Sequence, residues 1–183
     1  MDSQLQFSVG LLKEYWKKFD TLTVDEAMLS LSISQMPPWT DLCSGLRWET
    51  HSITSGSFSE KYHGRGGVYR LIALAPAGDS IGPAILNRVC GQDATGTLYI
   101  GEAGTLSARL NQVRRSFRRE RSHGAINMLR KIPVLNYPPN RLAVALCFTS
   151  AQSRKLVEEH LIYAYINSFG EMPPLNYKSS ARG

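Results

Sequence analysis

The spacing of apolar residues changes along this chain, and with it the kind of element each region can form. Leu5, Val9, Leu12, Trp16 and Phe19 recur at three- to four-residue steps, the mark of an amphipathic helix. Thr23 followed by Glu26 is a capping-box pattern that opens a second helix through Ala27, Met28 and Leu31. Pro37-Pro38-Trp39 breaks the chain there and starts a short third helix. The Ser- and Gly-rich stretch 52–67 then reads as a boundary loop. After it the pattern becomes strand-like. Residues 67–75 are β-branched and aliphatic, bounded by glycine and Pro76, and predict a strand. Residues 76–96 predict a long connection with a short helical piece near 84–89, and 97–101 a second strand. Helices are predicted from 106 to 120 and over 125–131. The continuous apolar run 142–149 has strand length and the look of a strand buried on both faces. Ser150 or Ser153 caps a long final helix ending at Phe169. This order predicts a helical N-terminal extension over 1–62 and an α/β domain over 63–183. In that domain a small sheet of about three strands is flanked by helices.

Composition adds one asymmetry to that outline. The 183 residues carry a formal charge of +6, distributed as −4 over residues 1–60 and +10 over residues 61–183. A basic body behind an acidic head favours a polyanionic partner, most often nucleic acid. No apolar run approaches the ~20 residues that cross a bilayer, so no membrane partner is expected. The opening MDSQLQFSVGLLKEYW lacks the basic and small-residue features of a signal peptide. Cys43, Cys90 and Cys147 are widely spaced, with no C-x-x-C, and indicate neither a disulfide framework nor a zinc site. A reducing, cytoplasmic setting is the expectation.

Within the basic body, Gly67-Val68-Tyr69 in the first predicted strand is followed by Tyr99-Ile100-Gly101 in the second. Arg109 lies eight residues after Gly101, at the start of the next helix. Glu158 sits in Glu158-x-x-Leu161-Ile162 on the last helix, and Pro173-Pro174-Leu175-Asn176 closes the series. In order and spacing these features resemble the GIY-YIG nuclease superfamily, over about two-thirds of the chain. The resemblance implies a magnesium- or manganese-dependent phosphodiester hydrolase. In it Tyr69 and Tyr99 point into the site, Arg109 holds a phosphate, Glu158 is the metal ligand, and Asn176 orients the glutamate or a site water. The residue types suit that chemistry on their own terms. Ile162, Tyr165 and Phe169 flank Glu158 on its helix, at about 100° per residue, so the carboxylate lies inside the apolar arc. An inward carboxylate needs a cation, either a core arginine or a hard metal such as Mg²⁺. Tyr69 and Tyr99 also suit plain core packing, Arg109 a surface helix and Asn176 a turn.

Two positions depart from the family pattern. Glu102 follows the second motif where many members carry lysine, and Val113 stands four residues past Arg109 where several carry histidine or tyrosine. His123 is the candidate to replace that side chain, with His63 the second choice, whereas His51 and His160 suit surface or structural roles. Residues 109–131 hold eight basic side chains and a single acid, Glu120. Arg114, Arg115, Arg118, Arg119, Arg121 and Lys131 are the expected contacts to DNA phosphates, because like charges four apart on a helix repel unless an anion accepts them. The resulting expectation is a restriction endonuclease on double-stranded DNA, working as a homodimer or larger homo-oligomer. The alternatives are a structure-specific or phage-borne nicking nuclease, a defence toxin, or a silent nucleic-acid-binding module.

Overall fold

A computed structural model describes residues 37–54, 62–76, 82–117, 123–135, 137–149 and 154–176. The helices expected within 1–36 and the capping residues Ser150 and Ser153 lie outside these residues. In chain order the elements are α1 (Trp39–Gly45), β1 (Glu49–Ser52), β2 (Gly67–Ala73), β3 (Leu86–Arg88), β4 (Gly91–Asp93) and β5 (Thr97–Ala103). There follow α2 (Leu106–Ser116), α3 (Gly124–Lys131), β6 (Leu142–Phe148) and α4 (Arg154–Phe169).

The apolar runs form the middle of an antiparallel sheet of order β1-β6-β2-β5. Every residue of β2 is buried, as is every residue of β6 except Phe148, because helices cover both faces. On one face Tyr69, Leu71, Leu98, Val144 and Leu146 pack against Leu106, Leu110 and Val113 of α2 and Ile126 of α3. On the other, Val68, Ile100 and Cys147 pack against Val157, Leu161 and Tyr165 of α4 and Trp39 and Leu42 of α1.

The sheet has four strands rather than three. The extra strand, β1, is short and polar (Glu-Thr-His-Ser), pairs only with β6, and falls inside the segment expected to be helical. An edge strand of this kind has no apolar run to announce it. The helical piece expected near 84–89 is instead the hairpin β3–β4, turning at Val89 and Cys90. Its role is to bring Asp93 inward. Asp93 is fully buried and accepts hydrogen bonds from the Thr95 and Thr97 backbone N–H groups (2.7 and 2.9 Å), the Thr95 hydroxyl (2.5 Å) and the Tyr165 hydroxyl (3.1 Å). Beside it Arg70 donates to Thr97 Oγ1 (2.9 Å) and Cys43 Sγ (3.0 Å), and its guanidinium lies 4.5 Å over the Trp48 ring. Burial pushes the Cys43 thiol up to about 12, so it is an inert donor-acceptor in this network.

The two motif glycines follow from close packing. A Cβ on Gly67 would overlap the Cys147 carbonyl of the neighbouring strand β6. A Cβ on Gly101 would sit 2.5 Å from the Tyr99 ring and 3.0 Å from that of Tyr69. Gly101 pairs across the ladder with Tyr69, so its missing side chain is the space into which both tyrosines lean.

Candidate active site

Tyr69 and Tyr99 project from the α2 face of β2 and β5 with ring centroids 5.8 Å apart. His123, immediately before α3, closes the group from above. Its ring lies 5.6 Å from Tyr99 and 6.3 Å from Tyr69, and its Nε2 is 2.9 Å from the Tyr69 hydroxyl. Val113, by contrast, is a fully buried core residue of α2, and His123 stands at the N-cap of the next helix. Burial first, then the Arg109 charge, lowers His123 to about 4, so the ring is neutral at pH 7. Burial chiefly raises Tyr69 well above its ordinary range, with Tyr99 adding to the rise, and keeps its hydroxyl protonated. A protonated phenol and a neutral imidazole share one hydrogen bond whose proton can sit on either partner. His123 Nδ1 is buried and has no partner of its own.

Arg109 is partly exposed on the flank of α2 that faces this group, and its charge acts on Tyr69, His123 and Glu158 alike. Its guanidinium donates to Gln112 Oε1 at 3.1 Å, which holds the fork against the helix.

Glu158 reaches the site from the opposite layer, and the edge of the sheet explains how. β5 is an outer strand, so alternate backbone groups point away from β2. Leu175 N–H donates to the Leu98 carbonyl (2.9 Å). Asn176 clamps Ile100 from both ends, Oδ1 accepting its N–H (2.8 Å) and Nδ2 donating to its carbonyl (2.7 Å). Two residues further on, the outward Glu102 N–H donates to the Glu158 carboxylate. The period of two along the strand thus fixes the metal-ligand candidate and the asparagine to one edge. Through these two bonds Asn176 is a positioning residue for β5. The amide keeps a second Nδ2 hydrogen and a second Oδ1 lone pair beyond them.

Burial, with the neighbouring Glu102 charge next, pushes Glu158 up to about 7. Among the described residues no Lys, Arg or His lies within ion-pair distance of it, since Arg154 pairs with Glu102 instead (2.7 Å). No cluster of three or more metal-ligating side chains occurs among the described residues. One half-buried carboxylate beside a second acid is a donor set that suits a hard cation retaining most of its water, such as Mg²⁺. Glu158 is the residue that would hold it.

The expected DNA contacts separate into groups. Arg114 and Arg115 lie on the other flank of α2 from Arg109. There they line an open cavity of about 630 Å³ with Asn111, Ala108, Phe117, Ile53, Thr54 and Pro139. No acid lines it. Lys131 is exposed at the end of α3, while Arg118, Arg119 and Arg121 lie outside the described residues. His63 is exposed in the turn before β2. His51 bonds the Tyr62 hydroxyl (2.6 Å), which also donates to Glu49 (2.9 Å), a pairing across the edge strand that no motif signalled. The Glu102–Arg154 pair is likewise absent from the motif pattern, although Arg154 lies one helical turn before Glu158. Family models, curated proteins and solved structures yield no match to this chain.

Proposed function

We propose that the protein is a divalent-metal-dependent DNA endonuclease, and specifically a sequence-specific restriction enzyme acting on double-stranded DNA as a homodimer or larger homo-oligomer. The observation that carries this reading is the convergence of Tyr69, Tyr99, Arg109, His123 and Glu158, from five different elements, around the gap left by Gly101. Phosphodiester hydrolysis needs a water that loses a proton, a cation on the phosphate and neutralisation of the developing charge. Arg109 offers the phosphate a planar, permanently charged fork. As an attacking water gives its proton to the Tyr69 oxygen, Tyr69 passes its own proton to His123 Nε2. A phosphate bound at Arg109 offsets the charge that depresses His123, so substrate binding itself makes the imidazole a better acceptor. A divalent cation held by Glu158 supplies Lewis-acid neutralisation of the phosphoryl oxygens. The cavity with Arg114 and Arg115 favours a duplex longer than the scissile step, since phosphates flanking that step need their own cations.

The test is plasmid cleavage with Mg²⁺ by the wild type and by Glu158→Ala. Discrete bands from the wild type alone support a restriction enzyme. A smear, or nicking confined to branched structures, moves the assignment to a repair-type nuclease or toxin. DNA binding with no cleavage by either protein reduces it to a binding module.

A further inference from the structure

Arg154 and Glu158 are four residues apart on α4, a spacing that makes two side chains neighbours on one helix face, with Cβ atoms about 5–6 Å apart. Opposite charges at that spacing lie within ion-pairing reach of each other. Here they do not pair. Arg154 Nε instead lies 2.7 Å from Glu102 Oε2 on β5, with both side chains about one-third exposed (31% and 32%). The guanidinium rests over Gly104, where an added Cβ would meet it at ordinary contact distance, 3.7–4.0 Å. Glu102 occupies the position after the Tyr99-Ile100-Gly101 motif, and its own backbone N–H already serves the Glu158 carboxylate.

We propose that Glu102 is a positioning residue that holds Arg154 away from Glu158 and so reserves the Glu158 carboxylate for a divalent cation. This rests on the metal-dependent reading of the site. An arginine one turn away would otherwise satisfy Glu158 as a permanent counter-ion, and a cation would have to displace it. The Glu102 main chain aims the ligand while its side chain removes the competitor. An acidic residue at this position is then a working part of the metal site, because its carboxylate engages Arg154.

The test is a double-mutant cycle read as Mn²⁺ affinity, by electron paramagnetic resonance on the DNA-free full chain, with folding checked by circular dichroism. Glu102→Gln keeps the backbone N–H but removes the ion pair to Arg154, and is expected to weaken Mn²⁺ binding about tenfold, the scale of an outer-shell ligand partner. In the wild-type background Arg154→Gln changes affinity little. Added to Glu102→Gln, it restores most of the loss, so the effect of removing the arginine depends on whether Glu102 is present. Additive effects of the two substitutions, or no loss with Glu102→Gln, overturn the proposal while leaving the metal site intact. Glu158→Gln is the control for the underlying reading. If it binds Mn²⁺ as tightly as the wild type, the metal site itself is misassigned and both conclusions fall. Should Glu102→Gln misfold, Glu102→Ser offers the same comparison with a smaller side chain.

Discussion

Two acids near β5 and α4, one fully buried and one half-buried, make an instructive pair. Asp93, beneath α4, is fully buried and receives four hydrogen bonds, two of them from backbone N–H groups. Glu158, in the second turn of α4, is half-buried, receives one backbone N–H, and the charge that acts on it most strongly is that of Glu102. The first is saturated by the fold, and the second is not. Burial of an acid therefore says little about function. The number of donors supplied to it separates a structural carboxylate from one that is ready for a ligand.

The largest effect is expected where the saturated acid is broken. Asp93→Asn turns one accepting oxygen into an NH₂ group facing donors and should cost about 3 kcal/mol of unfolding free energy in urea titration. Cleavage per folded molecule should persist. A loss of rate without a loss of stability would put Asp93 in the chemistry and erase the distinction. Next comes Gly101→Ala. Its methyl group occupies the gap into which Tyr69 and Tyr99 lean, and an ångström-scale displacement of the pair should slow cleavage about a hundredfold. An unchanged kcat would show that the tyrosine positions are not critical.

Smaller and more diagnostic is pH. Below about 7 the Glu158 carboxyl must release a proton to bind a cation, so Mn²⁺ affinity should rise about tenfold per pH unit up to that point and then level off. The raised pKa also means that the folded chain keeps this proton longer than the unfolded one. Its stability contribution is complete below 4.5 and lost as pH rises to about 7. His123 acts oppositely, contributing stability above 6.5 that is lost as pH falls to about 4. Urea titrations of Glu158→Gln and His123→Gln at several pH values should each remove one slope. If neither does, the two groups are not perturbed by the fold. The mildest change concerns the cavity. Replacing Arg114 and Arg115 with serine should lower the salt slope of DNA binding by about 0.9 for each phosphate that is no longer neutralised, leaving kcat at saturating DNA unaltered. An unchanged slope would remove this flank of α2 from the DNA surface.

Much of the central architecture is legible in the sequence because long apolar runs have few alternatives. The runs that form β2, β5 and β6 lie within two residues of their expected limits, and α3 and α4 are where periodicity puts them. β1 escapes such a reading because a polar edge strand draws its stability from β6 rather than from its own residues. The β3–β4 hairpin passes for helix because its apolar Ile85 and Val89 are exposed and follow no sheet period. At the site, motif spacing nominates the side chains, and the structure brings Tyr69, Tyr99, Arg109, His123 and Glu158 together. Asn176 also clamps main-chain atoms of Ile100, a partnership that no side-chain identity reveals. The Glu102–Arg154 pair spans 52 residues of sequence and emerges only in three dimensions.

The clamp of Leu175 and Asn176 on the β5 edge also has a bearing on synthesis. A growing chain that has emerged as far as Phe169 already carries both tyrosines, Arg109, His123 and Glu158. The outer edge of β5 is still bare at that stage, because residues 175 and 176 have yet to arrive. The strand that aligns Tyr99 and Glu158 is thus locked only by the last of the described residues to be made. Under the proposed function, a chain assembled in that order stays inactive until residues 175 and 176 have emerged, and chains truncated before Leu175 remain unable to damage the DNA of the cell that makes them.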